Sequence, residues 1–211
     1  MPASRVTSRN PWHVVLVLDD SGSMSGQPSQ DLNEAIKELI GEMETASMGQ
    51  KPYFRVSVVS FGSNYHTIAE AVPETDLEES AIANFQGSSG STNAAAALDE
   101  AARILSNNPG EETDFEPFVF FLSDGYPDNA STALQAAEKI KNLSLPSGTP
   151  RVVTLGFGSV DDDFMGKIAN NSELYKKMSS SKDMVKFLPA IGTIGTQAAG
   201  AQDVEEAIMK L

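Results

Sequence analysis

Two carboxylates and three hydroxyls in this chain fall at places where oxygen donors could gather around a hard cation. Asp19, Ser21 and Ser23 follow directly on the run His13-Val14-Val15-Leu16-Val17-Leu18. Asp124 follows a second apolar run, Phe118-Val119-Phe120-Phe121-Leu122, with Ser123 between, and Thr92 closes the loop Gly87-Ser88-Ser89-Gly90-Ser91. Carboxylates, hydroxyls and water are the donors that magnesium or manganese takes in an octahedral shell. With only two charged ligands, such a metal would keep an electrophilic position that a partner's carboxylate could fill.

These groups need elements to position them. A continuous β-branched and Leu-rich run without polar alternation is the pattern of a strand buried on both faces, and such strands belong to parallel sheets covered by helices. Ligands of open sheets collect at the carboxyl ends of the strands. Residues 13–18 and 117–122 therefore read as central strands, each ending in a carboxylate. Residues 54–61, 151–157 and 173–178 read as further strands, and Gly62-Ser63-Asn64 is so short a turn that residues 65–72 must run antiparallel to 54–61.

Between the strands, apolar residues recur at helical steps. Leu32, Ala35, Ile36, Leu39, Ile40 and Met43 mark a long helix starting near Pro28 and Ser29, and Ala94, Ala97, Leu98, Ala101, Ile104 and Leu105 mark another. Residues 131–143 and 184–199 follow the same rule, although Gly192 and Gly195 weaken the latter. Taken alone, Thr92 reads as the N-cap of the helix it precedes. The acidic residues 74–79 read as a solvated loop or short helix, as do Asp161, Asp162 and Asp163, of which Asp163 is the candidate cap. The expected organisation is a flexible lead-in over residues 1–12, one α/β domain over 13–200, and a helix or tail over 201–211.

Composition excludes several function classes. Fifteen Lys plus Arg against 29 Asp plus Glu give a formal net charge of -14, which opposes nucleic acid and anionic membranes and leaves no counterion-release contribution. Without cysteine there is no disulfide, thiolate metal site or Cys nucleophile. The first ten residues lack the apolar core of a signal peptide and no window approaches a membrane span, so a cytoplasmic location is expected.

Enzymatic readings meet specific obstacles. Magnesium-dependent phosphoryl transfer with Asp19 as nucleophile is the main alternative, but haloacid-dehalogenase-like phosphatases want a second Asp two positions on, where Ser21 stands. Residues 22–26, Gly-Ser-Met-Ser-Gly, put Met at the nucleophile position of a hydrolase elbow, and the 87–92 loop has no phosphate-cradle Lys. His13 and His66 lie before the first strand and near the edge hairpin and suit packing or surface roles better than catalysis.

The three segments Asp19-Asp20-Ser21-Gly22-Ser23, Ser91-Thr92-Asn93 and Ser123-Asp124-Gly125 together resemble the von Willebrand factor type A (vWA) domain and its metal-ion-dependent adhesion site, D-x-S-x-S with a loop Thr and a strand-ending Asp. The resemblance implies a Rossmann-like α/β fold with a central, mostly parallel six-stranded sheet, one antiparallel edge strand and helices on both faces. By the same likeness, Ser21, Ser23 and Thr92 would be hydroxyl ligands of a divalent cation, magnesium before manganese or calcium, with Asp19 and Asp124 bound directly or through water. The implied function is a non-catalytic, metal-dependent interaction module whose protein partner supplies an Asp or Glu. The segment Leu122-Ser123-Asp124-Gly125-Tyr126-Pro127-Asp128 is similar to intracellular bacterial vWA proteins of tellurium resistance and chemical stress, which implies a stress-response setting.

Overall fold

The computed structural model describes residues 6–47 and 53–211. Its centre is β1 (Trp12–Asp19), buried along its whole length between two parallel neighbours, β2 (Phe54–Phe61) and β4 (Phe115–Ser123). Val14, Leu16 and Leu18 face one core and Val15 and Val17 the other, which is why the sequence shows no polar alternation here. β5 (Arg151–Gly156) and the short β6 (Tyr175–Lys177) extend the sheet in parallel beyond β4. β3 (Tyr65–Pro73) is the antiparallel edge, and the order is β3-β2-β1-β4-β5-β6. The direction of winding reverses between β1 and β4, so a crevice is expected where their carboxyl ends diverge.

Helices cover both faces. On one side α1 (Gln27–Ser47), α6 (Met184–Gln197) and α7 (Ala201–Lys210) bury Leu32, Ile36, Leu188, Ile191, Val204 and Ile208 in one core. On the other, α3 (Ala94–Asn107), α4 (Ala130–Lys141) and α5 (Asp162–Ile168) close the second core, where the alanines of α3 permit close approach to the sheet. A four-residue α2 (Glu79–Ile82) lies between β3 and α3. Val6 packs into the first core ahead of β1, so ordered packing begins before Trp12.

Several local expectations change. Glu74 is fully buried, its two carboxylate oxygens accepting the Tyr53 and Phe54 amides at 2.9 and 3.1 Å, so it anchors the entry to β2 and is not solvated. Asp161, not Asp163, caps α5 by accepting the Phe164 amide at 3.0 Å. Gly192 and Gly195 are close-approach positions: a Cβ on Gly192 would lie 3.2 Å from Glu42 of α1, and one on Gly195 would lie 2.5 Å from the Trp12 ring. Trp12 is itself enclosed by Phe54, Phe115 and Phe118, with ring centroids 6.0, 5.6 and 5.3 Å away.

His13 sits in the interior at the end of a hydrogen-bond chain. Ser57 Oγ accepts the Ala71 amide at 2.8 Å and is hydrogen-bonded to His13 Nε2, 2.9 Å away. The Asn108 backbone beside the ring works the other way and favours the charged form. Ala71 is held at φ 49, a left-handed conformation, and the β2–β3 register shifts nearby. Burial, with the Arg55 charge adding to it, holds the imidazole down to about 4.

Candidate metal centre

The ends of β1 and β4 lie side by side, Leu18 paired with Leu122, so the next residues meet. Asp19 Oδ2 accepts from Ser123 Oγ at 2.6 Å. Asp19 Oδ1 accepts the Ser21 amide at 2.8 Å, a local turn that bends the chain out of the strand. A 3₁₀ turn over Gly22–Met24, anchored by the buried Met24, then brings Ser23 back over the strand end, with its Oγ 3.1 Å from Ser21 Oγ. Ser23 Oγ donates to Asp124 Oδ1 at 2.6 Å, which leaves Ser21 the donor within the serine pair.

Thr92 arrives from the third segment. The hydroxyls of Ser23 and Thr92 lie 3.8 and 3.9 Å from one point, the position a Cβ would take on Gly125. Thr92 does not cap α3: Asn93 does, accepting the Ala96 amide at 3.4 Å. The structure thus brings Asp19, Ser21, Ser23, Thr92 and Asp124 to one edge of the sheet. Among the described residues no three His, Asp or Glu side chains gather into a metal site, so the donor set here is dominated by hydroxyls.

Two aspartates hold the loops and were not singled out as site residues from the sequence. Asp20 points away from the cluster, its Oδ1 accepting the Gln86 and Gly87 amides at 2.9 and 2.7 Å and its Oδ2 the Ser89 hydroxyl at 2.6 Å. Gly87 is required there, with φ +62 and no room for a Cβ against Met24 and Ser25. Asp128 holds Thr92 directly: Oδ1 accepts the Thr92 amide at 3.1 Å, and Oδ2 accepts from Ser91 Oγ at 2.7 Å. Its own amide returns a bond to the Thr92 carbonyl at 3.0 Å. The sequence signal for both was their closeness to the motif, Asp20 inside the first segment and Asp128 four residues beyond Asp124.

Electrostatically the centre favours a positive occupant. Burial raises the Asp19 carboxyl, against the hydrogen bonds from Ser123 and Ser21, and the Asp124 charge adds to the rise. Burial raises Asp124 as well, opposed by the Ser23 hydroxyl. Both shifts express carboxylates with too little cationic compensation. A divalent cation answers that deficit, and the two carboxylates with three hydroxyls match its preference for oxygen. His13 and His66 are not part of the cluster.

A family model for the von Willebrand factor type A domain matches residues 13–190. Among curated proteins, inter-alpha-trypsin inhibitor heavy chain H2 of Mus musculus is 27% identical over 197 residues, covering 87% of this chain and 20% of that protein. The chain spans about a fifth of the length of the curated relatives it matches. Among solved structures, proximal thread matrix protein 1 of the mussel byssus, with a zinc-occupied MIDAS motif, has a TM-score of 0.65 at 19% identity, covering 96% of this chain and 47% of that one. The manganese-loaded TRAP protein of Plasmodium vivax has a TM-score of 0.61 at 20% identity, covering 88% and 76% respectively.

Proposed function

The chain belongs to the von Willebrand factor type A domain family, and from that premise we propose that it is a metal-dependent protein-interaction module. Asp19, Ser21, Ser23, Thr92 and Asp124 would hold a divalent cation, and a protein partner would supply an Asp or Glu to it. The bound cation would supply an electrophilic anchoring point for that carboxylate. The carrying observation is that three separate loops converge, with Ser23 Oγ donating to Asp124 Oδ1 at 2.6 Å and the Ser23 and Thr92 hydroxyls near a common point. The zinc and manganese sites of the two structural neighbours support a divalent cation, and we choose magnesium for its hard oxygen preference.

The surroundings of Asp19 support a ligand over a nucleophile. It is wholly buried and both oxygens accept hydrogen bonds, so it is poorly placed for in-line attack on a phosphoryl group. The likeness of residues 122–128 supports a stress-response setting, and the proposed cytoplasmic location is tested by fractionation of the source cell.

The experiment is a calorimetric titration of the protein with magnesium and manganese, alongside melting temperature with and without metal. A cation that binds only the native state raises the melting temperature by mass action, and Asp124→Ala should abolish that gain. Unchanged melting in the wild type at millimolar metal would sink the proposal. Turnover of an aryl phosphate, lost in Asp19→Asn, would favour phosphoryl transfer instead.

A further inference from the structure

Charge is unevenly spread along this chain, and one short stretch runs against the rest. Residues 174–188 hold Lys176, Lys177, Lys182 and Lys186 against a single acid, Asp183, in a chain whose formal charge is -14. The fold gathers this stretch around an open hollow of about 450 Å³ between β6, the turn over Ser181–Asp183, the start of α6 and the end of α7. The hollow lies on the far flank of the sheet, since β6 stands two places beyond β4, about 10 Å at the usual spacing of paired strands. Its lining includes none of the five oxygen donors.

Most of the polar groups around the hollow are already held. Lys176 Nζ donates to the Met209 carbonyl at 2.8 Å, which leaves its methylenes along the wall. Lys177 Nζ meets Asp162 Oδ2 at 2.5 Å, and Asp183 Oδ2 accepts from the Ser179 amide and hydroxyl at 2.9 and 2.7 Å. Lys182 and Lys186 differ. Both are exposed, and among the described residues neither makes a hydrogen bond or a close ion pair, Lys186 acting on Asp183 only as a nearby charge. The base is apolar: Met178 and Phe187 line it, and Leu211, 57% exposed, stands at its mouth.

The balance at the hollow is positive. Four lysines face Asp183 and Asp162, and even a free carboxylate on Leu211 leaves an excess of cation. Lys210 and Glu206 border a separate hollow between α6 and α7 and offset each other. Asp163 pairs with Lys167, and Asp161 acts on Tyr175 and Lys167.

We infer that this hollow docks a short segment of a partner protein in which one large apolar side chain is flanked by Asp or Glu. The apolar side chain covers Met178 and Phe187, and the acids meet Lys182 and Lys186. With the other polar groups already fixed, little ordering opposes binding. A short segment fits better than a long polyanion or a membrane, because the positive area is one hollow wide and 28 of the 29 acidic residues lie outside residues 174–188. The site is separate from the metal centre and does not rest on the metal reading.

The probe is a labelled, capped peptide with one central Phe between Asp and Glu residues. One control replaces Phe by Ala, and another replaces the acids by Asn and Gln. Fluorescence anisotropy is read in chelator at low salt, which removes any contact between the peptide's carboxylates and a metal. The acidic Phe peptide is expected to bind about three- to tenfold tighter than either control, with the advantage over the Asn and Gln peptide shrinking in high salt. Lys182→Glu with Lys186→Glu should leave the melting temperature unchanged and abolish that advantage, and Lys186→Gln alone should reduce it without reversing a charge. Amide shifts on titration should centre on residues 175–187 and 208–211. Absence of binding up to millimolar peptide, equal binding of the three peptides, indifference to the lysine changes, or shifts centred on residues 19–23 and 124–128 would each overturn the inference. Vesicles containing phosphatidylserine that bind while the peptide does not would overturn it in favour of a membrane.

Discussion

Replacing His13 by Gln removes a buried titration whose contribution can be worked out. The ring sits between β1, β2 and β3 as a neutral species, hydrogen-bonded to Ser57 at 2.9 Å, with Arg55 and Glu70 the charged groups that face it. Its pKa is lowered from 6.5 to about 4, so the unfolded chain takes up the proton first as pH falls. The stabilisation is therefore complete above about pH 6.5 and is lost progressively between there and pH 4. That interval corresponds to about 3 kcal/mol. Gln keeps a polar side chain beside Ser57 without a titratable ring, so His13→Gln removes the pH dependence of this site. The measurement is urea denaturation at pH 7, 5.5 and 4, read by the fluorescence of Trp12, the only tryptophan and a fully buried one. The wild-type advantage over the variant should shrink by about 3 kcal/mol across that range. A constant difference, within about 0.5 kcal/mol, would refute the assignment of a neutral, proton-excluding His13.

Other perturbations follow from the same geometry. Because burial raises the Asp19 and Asp124 carboxyls, protons compete with a cation for them, and metal affinity should fall as pH drops toward the ordinary carboxylate range; equal calorimetric affinity at pH 7.5 and at about pH 4 would contradict this. Asp20→Ala strands the Gln86 and Gly87 amides and the Ser89 hydroxyl and should cost about 1–3 kcal/mol by urea denaturation, with Asp20→Asn costing less. Gly195→Ala drives a methyl into the Trp12 ring and should cost about 1–3 kcal/mol, while Gly166→Ala, with nothing within 4 Å of the added Cβ, should be neutral or stabilising by up to about 1 kcal/mol. Equal melting temperatures for those two alanine variants would refute the close-approach argument.

What was legible in the sequence was what local pattern encodes. The unbroken apolar runs marked β1 and β4 because burial on both faces removes alternation, and the Gly62-Ser63-Asn64 turn fixed β3 as antiparallel because so short a link allows nothing else. The five oxygen donors were legible because each follows a strand or a glycine-rich loop. Long-range roles were not. Glu74 reads as one acid in an acidic stretch until its partners, the Tyr53 and Phe54 amides, are brought to it by the β2–β3 pairing. Asp20 and Asp128 reach loops 66 to 69 and 36 to 37 residues away, a distance at which no periodicity carries information. Thr92 and Asn93 are both plausible caps, and only the path of the 87–92 loop decides between them. The glycines of α6 lower helix propensity, and their reason lies on β1 and α1, not in α6.

The two margins of the sheet carry a consequence for how copies of the chain behave toward one another. At one margin β6 offers only three residues, two of them Lys176 and Lys177. At the other, β3 shifts register twice and turns its Ala71 amide inward to Ser57, so a straight ladder cannot form along it. Short, charged or irregular margins are poor templates for an incoming strand. Strand-to-strand fusion between copies is thereby discouraged at both ends of the sheet.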